Sequence, residues 1–222
     1  DLMSYVWIEA DGIANFQESS TGLYSNSASH ATEFALWIGG QKISELDSLY
    51  IQGVHNPLMR DSAAKASFAV TTNTRKENHC GNYYMIPFFF GEDWTKVLPL
   101  VALQYHDVEI RIKCRDGFTP GSTPKVYGNY VYLDTDERKF FTDTEHELLI
   151  TQTQYQLASN TDTEIDLTYF NHPVKSIHLV SGKATGLPWA QEFNFSKSSL
   201  YINGVPLFED TSNVYHHDIV PE

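Results

Sequence analysis

The chain has 222 residues, 41% hydrophobic and 14% aromatic, with 15 Lys and Arg against 28 Asp and Glu for a formal net charge of −13. That length suffices for one large or two small β domains, each able to bury a real core, and 13 Tyr with 13 Phe favour pleated, half-buried surfaces over helices. The acidic balance argues against a nucleic-acid clamp, which needs clustered Lys and Arg, and no apolar run approaches the roughly 20 residues of a membrane-spanning helix.

The opening residues, Asp1 to Ala10, alternate as a strand and lack the positive start and apolar middle of a signal peptide. With a last stretch, Val214 to Ile219, that stops without a terminal signal, the sequence reads as a piece of a longer protein. Phe34, Leu36 and Ile38 share one strand face, and Gly39-Gly40 then predicts a tight hairpin, since paired glycines accept the positive φ of such turns. Ser44 to Val54 has near-helical apolar spacing and predicts a short helix ended by Pro57. Met59 to Cys80 is small and polar, a long surface excursion with one strand-like run at Ala66 to Val70. Tyr83 to Phe90 reads as a buried strand, Glu92 to Val97 as a turn or one helical turn, and Pro99 to Cys114 as one long strand or two shorter ones, with Leu98 to Ile110 inside a sandwich. Asp116 to Pro124 is a Gly- and Pro-rich loop, and Val126 to Leu133 is the next strand.

The character changes at Asp134. The charged run to His146 predicts a short capped helix, with Asp134 and Asp136 at its N-terminal end and Thr142-x-x-Glu145 in capping-box spacing. Beyond it Leu148 to Leu157, Glu164 to Phe170, Val174 to Val180 and Ser198 to Ile202 again read as strands. Strands on both sides of one charged helix suggest two β sandwiches in series.

Candidate chemistry is thin. Asp134-Thr135-Asp136 matches the DxD with which some glycosyltransferases hold a divalent cation, but no phosphate-cradling Gly-rich loop accompanies it, and the helix start is the favoured reading. His216-His217 are neighbours whose side chains diverge on a strand, and the other histidines are scattered. No Gly-x-Ser-x-Gly elbow is present, and Cys80 and Cys114 read as free thiols of a reducing compartment. These patterns give no catalytic, metal or cofactor residue. Asn194-Phe195-Ser196 is the sole glycosylation sequon, making Asn194 a candidate acceptor. A carbohydrate-binding β-sandwich module is the alternative that shares the β pattern and surface aromatics.

Four phrases resemble a known family: Met85-Ile86-Pro87-Phe88-Phe89-Phe90, Leu98-Pro99-Leu100-x-Ala102-Leu103-Gln104-Tyr105-His106-Asp107-Val108, Tyr132-Leu133-Asp134-Thr135-Asp136-Glu137-Arg138 and Phe170-Asn171-His172-Pro173-Val174-Lys175. Their wording, order and spacing resemble the major capsid proteins of nucleocytoplasmic large DNA viruses, the phycodnaviruses, mimiviruses, iridoviruses and relatives. The resemblance implies an all-β double jelly roll, two consecutive antiparallel sandwiches, both incomplete here. Residues 1–133 would form the first jelly roll without its first strand, 134–147 a connector with the short helix, and 148–222 the start of the second. It implies a structural protein rather than an enzyme, a homotrimer forming pseudo-hexagonal capsomers of an icosahedral shell. Its partners would be neighbouring capsomers and minor capsid proteins, with no direct nucleic-acid contact and the virion's inner membrane reached only indirectly. The place implied is the virion capsid, assembled in the host cytoplasm. Trp94, Trp189 and Tyr215, aromatics that the expected core leaves over, are candidate subunit contacts.

Overall fold

The computed structural model describes residues 1–9, 32–47, 50–55, 83–114, 123–156, 163–179 and 195–220. Strand β1 (Leu2–Glu9) is the centre of an antiparallel sheet, flanked by β4 (Tyr83–Ile86) and β6 (Lys125–Val131). In a second antiparallel sheet β2 (Glu33–Ile38) lies between β3 (Gln41–Asp47) and β5 (Val108–Lys113). A hairpin of β7 (Lys197–Ile202) and β8 (Val205–Ser212) forms a third sheet. Among the described residues no helix is long and apolar enough to cross a membrane.

Alternation along the strands builds the core. On β1, Val6 and Ile8 point inward while Tyr5, Trp7 and Glu9 face out. A bulge between Met3 and Val6 in the pairing with β6 breaks the two-residue period, so Leu2, Met3 and Ser4 are all buried. Ser4 is not orphaned there, because Asn129 Nδ2 donates to its Oγ at 2.7 Å. From the opposite sheet Phe34, Leu36 and Leu46 meet Val6, Ile8 and Ile86 in one cluster that also takes Phe88, Phe89, Phe90 and Leu98. The first two sheets therefore pack face to face as a β sandwich.

The β2–β3 hairpin closes through Gly39 and Gly40, at φ of 58° and 79°, between the paired residues Ile38 and Gln41. Two consecutive positive φ values are what a two-residue turn needs to match the strand twist. Downstream, helix α1 (Thr135–Asp143) starts at Asp134, whose carboxylate accepts from Thr135 N at 2.7 Å and joins Glu137 in a reciprocal capping box. Asp136 and Glu137 add negative charge to the first turn, where it complements the helix dipole. Because α1 buries no residue completely, its caps matter. Asp134→Ala is expected to lower stability by about 1 kcal/mol, seen as a lower urea midpoint; an unchanged midpoint would show that solvent serves those amides equally well.

Several expected elements fall differently. The helix proposed over Ser44 to Val54 is strand as far as Asp47, and only Tyr50–His55 turns, as one wide π-type turn whose Tyr50 amide donates to Asp47 Oδ1 at 2.7 Å. The buried strand from Tyr83 ends at Ile86, because Pro87 cannot donate to a ladder. Phe89–Gly91 is instead a 3-10 turn; the 3-10 turn at Trp94–Lys96 agrees with the turn or single helical turn expected over Glu92 to Val97. The expected strand from Leu98 to Ile110 starts only at Val108; before it, Ala102 N, Leu103 N and His106 N each bond the carbonyl three residues back. These turns place Leu100 and Leu103 against the core at helical rather than strand spacing. Thr142-x-x-Glu145 does not start a helix but lies at the C-terminal end of α1. The strands expected at 148–157, 164–170 and 174–180 are not regular strands over their described parts, 148–156, 164–170 and 174–179. Expectations for residues 59–80 and 116–122 fall outside the described residues.

Candidate assembly surfaces

The two outer faces of the sandwich differ in chemistry. On the β3-β2-β5 sheet, Lys113 pairs with Glu33 at 3.2 Å, Arg111 with Glu109 at 2.8 Å, and the Arg111 guanidinium lies 4.0 Å over the Trp37 ring. Such exposed pairs contribute little, about 0–1 kcal/mol each, and mark a face built for water. On the β4-β1-β6 sheet the outward residues of the centre are aromatic. Tyr5 and Trp7 have ring centroids 5.8 Å apart, and Trp7 stacks on its cross-strand partner Tyr127 at 5.4 Å and 14°. Trp7 Nε1 donates to Glu9 Oε1 at 2.8 Å, and Met85 lies opposite Trp7 on the other side. The sequence signal for this ladder was present in the Tyr5-x-Trp7-x-Glu9 alternation, yet these rings were not among the expected contact residues. The stacked Trp7 and Tyr127 turn their ring faces toward each other. A sugar-stacking platform needs those faces turned outward, so the ladder gives no support to the carbohydrate-binding alternative.

Among the expected contacts, Trp94 is 69% exposed on the 3-10 turn after Phe90, and Tyr215 is 43% exposed. They lie on separate elements; Trp189 and Asn194 lie outside the described residues. Tyr215 begins a wide turn, Tyr215–Ile219, rather than a strand. That turn places His216 against Phe208, Tyr215 and Phe195 at ring distances of 5.1, 5.3 and 6.0 Å, with Nε2 2.9 Å from Ser198 Oγ. His216 thus ties the turn to the β7–β8 hairpin. Further exposed apolar side chains lie in the irregular segments, among them Leu149, Tyr169, Val174, Ile177 and Leu179. Single exposed apolar residues are ordinary, but several within one segment suit a surface that meets other protein. Burial lowers the His178 imidazole below its usual range.

The other candidate groups have local structural roles. Asp134 and Asp136 serve the start of α1, and Asp134 already accepts backbone N–H bonds that a cation would have to displace. Cys114 is an exposed free thiol whose pKa burial raises, the opposite of an activated nucleophile. Among the described residues no three His, Cys, Asp or Glu side chains gather as a metal centre requires.

Antiparallel sandwich, aromatic outer ladder and apolar irregular segments define a structural β protein with surfaces suited to protein contact. Residues 12–134, more than half of the chain, match the family described as the major capsid protein N-terminus, and the chain belongs to that family of large DNA virus capsid proteins. It is 34% identical over 152 residues to the major capsid protein of Pyramimonas orientalis virus, covering 61% of this chain and 38% of that protein. It is 35% identical over 138 residues to capsid protein 1 of Acanthamoeba polyphaga mimivirus, covering 54% of this chain and 23% of that protein. The chain thus spans well under half the length of either relative. A chain in the quasi-atomic model of the PBCV-1 virus capsid is similar in fold, with a TM-score of 0.63 at 22% identity, the match covering 100% of this chain and 67% of that one. The family is structural rather than enzymatic, which leaves the glycosyltransferase reading of the DxD without support.

Proposed function

We propose that this chain forms part of the protein shell of a large double-stranded DNA virus. In this reading residues 1–133 belong to one jelly roll, 134–147 connect, and 148–222 open a second. A protomer of that kind associates in threes as a pseudo-hexagonal capsomer, contacts neighbouring capsomers and minor capsid proteins, and resides in the virion after assembly in the host cytoplasm. The observation that carries the reading is the family match over residues 12–134, which takes in every strand of the two packed sheets except β1 and ends at Asp134, the N-cap of the connector helix.

The physical argument is one of repetition. A shell is stable because modest interfaces recur by symmetry, each needing on the order of 1,000 Å² of complementary surface and no reactive group. An acidic protomer of net charge −13 must make those contacts where carboxylates are sparse or paired, since like charges brought together cost association. The full-length protein is expected to elute with the mass of three copies in light-scattering chromatography and to appear hexagonal in negative stain. A stable monomer throughout the micromolar range would contradict the proposal.

A further inference from the structure

The residues after β6 do not leave the sandwich as a free linker; they are fastened to it at both ends. At the first end, Asp1 Oδ2 accepts from Leu133 N at 2.8 Å and from Arg138 Nη2 at 2.8 Å. The Asp1 side chain is only 11% exposed, and its main-chain carbonyl accepts from Val101 N at 3.0 Å. The entry to β1, the turns near residue 101, the end of β6 and helix α1 therefore meet at one residue, Asp1.

At the far end the fastening is to the other sheet. His146 Nε2 lies 2.8 Å from Phe141 O and its ring stacks on Phe141 at 5.2 Å, which turns the chain back directly after α1. Ile150 then packs against the core cluster. Next, Gln152 Nε2 donates to Ile43 O at 2.5 Å and Thr153 Oγ1 to Glu45 O at 2.7 Å. Both acceptors are carbonyls of β3, which among the described residues pairs only with β2 in its sheet. Edge carbonyls otherwise invite pairing by another chain, and here side-chain donors occupy two of them. Tyr155 follows within the electrostatic reach of Glu33, Glu45, Asp47 and Lys113 at the end of the same sheet.

We propose that residues 133–153 are a strap that braces the two sheets of the sandwich at one end and sets the direction in which the chain departs toward its second half. The strap is a property of this chain's own contacts and holds whether or not the chain forms a shell. Its two anchors differ in kind. The Asp1–Arg138 contact is charge-assisted and nearly buried on the carboxylate side, which makes it the stronger. The β3 anchor is two neutral side-chain bonds plus Ile150, and it also shields the edge strand.

The test is site-resolved proteolysis of the full chain with a Glu-specific protease, read by mass spectrometry. Glu145 and Glu147 lie within the strap, whereas Glu109 lies in β5 and reports opening of the sandwich as a whole. Arg138→Gln and the double variant Gln152→Leu with Thr153→Val are each expected to speed cleavage after Glu145 and Glu147 about tenfold, the loss of one charge-assisted or two neutral hydrogen bonds. Cleavage after Glu109 is expected to stay near the wild-type rate, and Arg138→Lys to restore part of the protection. Equal acceleration at all three sites, or none at the strap sites, would overturn the proposal. Should Arg138→Gln fail to fold, the β3-anchor variant, which leaves the Asp1 contact intact, decides the question alone.

Discussion

Phe88→Ala is expected to destabilise the sandwich by about 3–5 kcal/mol, the range for truncating a fully buried aromatic residue. Phe88 is 0% exposed and follows Pro87 at the corner where β4 ends. Its ring lies 5.6 Å from Phe90, which in turn meets Phe89 edge-on at 5.5 Å and 83°, so three rings fill the corner of the core. Removing one ring of such a set deletes transfer free energy and leaves a cavity that neighbours in staggered, close-packed rotamers cannot fill. A domain of this size commands about 5–15 kcal/mol in all, so the variant is expected to lose about a fifth of it or more. The measurement is urea unfolding, with a large fall in midpoint at unchanged slope. Phe140→Ala is the control, since Phe140 is 61% exposed on α1; its effect is expected to stay within about 0.5 kcal/mol. Equal midpoints for the two variants would mean that the ring corner is not part of the cooperative core.

Residues whose structure is fixed locally were legible in the sequence. The Gly39-Gly40 hairpin, the outward and inward sides of β2, and the acidic start of α1 depend on turn chemistry, alternation and capping, which neighbouring residues specify. The strands expected at Asp1 to Ala10, Val126 to Leu133 and Ser198 to Ile202 are also present, while other segments with strand-like patterns find no partner strand. Leu148 to Leu157 alternates as a strand would, yet over its described part its side chains bond the carbonyls of β3 without forming a ladder. Alternation reports which side chains a sheet could bury, not whether backbone partners are present. Leu98 to Ile110 was misread for another reason. A short apolar run fits strand or turn equally, and here Leu100 and Leu103 reach the core from successive turns. Strand β8 is hidden in the sequence by Pro206, a residue that strand interiors rarely hold. At the candidate surfaces, composition pointed to aromatics, but only the register of β1 against β6 shows that Trp7 and Tyr127 are neighbours.

Gly39→Val is expected to cost about 2–4 kcal/mol, from left-handed backbone strain together with a steric clash. The φ of 58° at Gly39 is one a β-branched residue adopts only under strain, and a Cβ there would approach His106 Nδ1 to 2.8 Å. The turn has no freedom to rotate away, because Gly39 N donates to Asp107 O at 3.0 Å and so ties the hairpin to the entry of β5. Gly40 separates the two causes. Its φ is 79°, but no atom lies within 4 Å of a Cβ built there, so Gly40→Val is expected to carry the backbone strain alone, about 1–3 kcal/mol. His106→Ala in the Gly39→Val background is then expected to recover the difference, which a double-mutant cycle of urea midpoints would measure. The stakes are those of register. A hairpin that slips by one residue carries Phe34 and Leu36 from the core to the solvent face, so the strained variant is also expected to aggregate on refolding. If Gly39→Val and Gly40→Val prove equally stable, the His106 contact does not constrain this corner, and the hairpin is held by its strands alone.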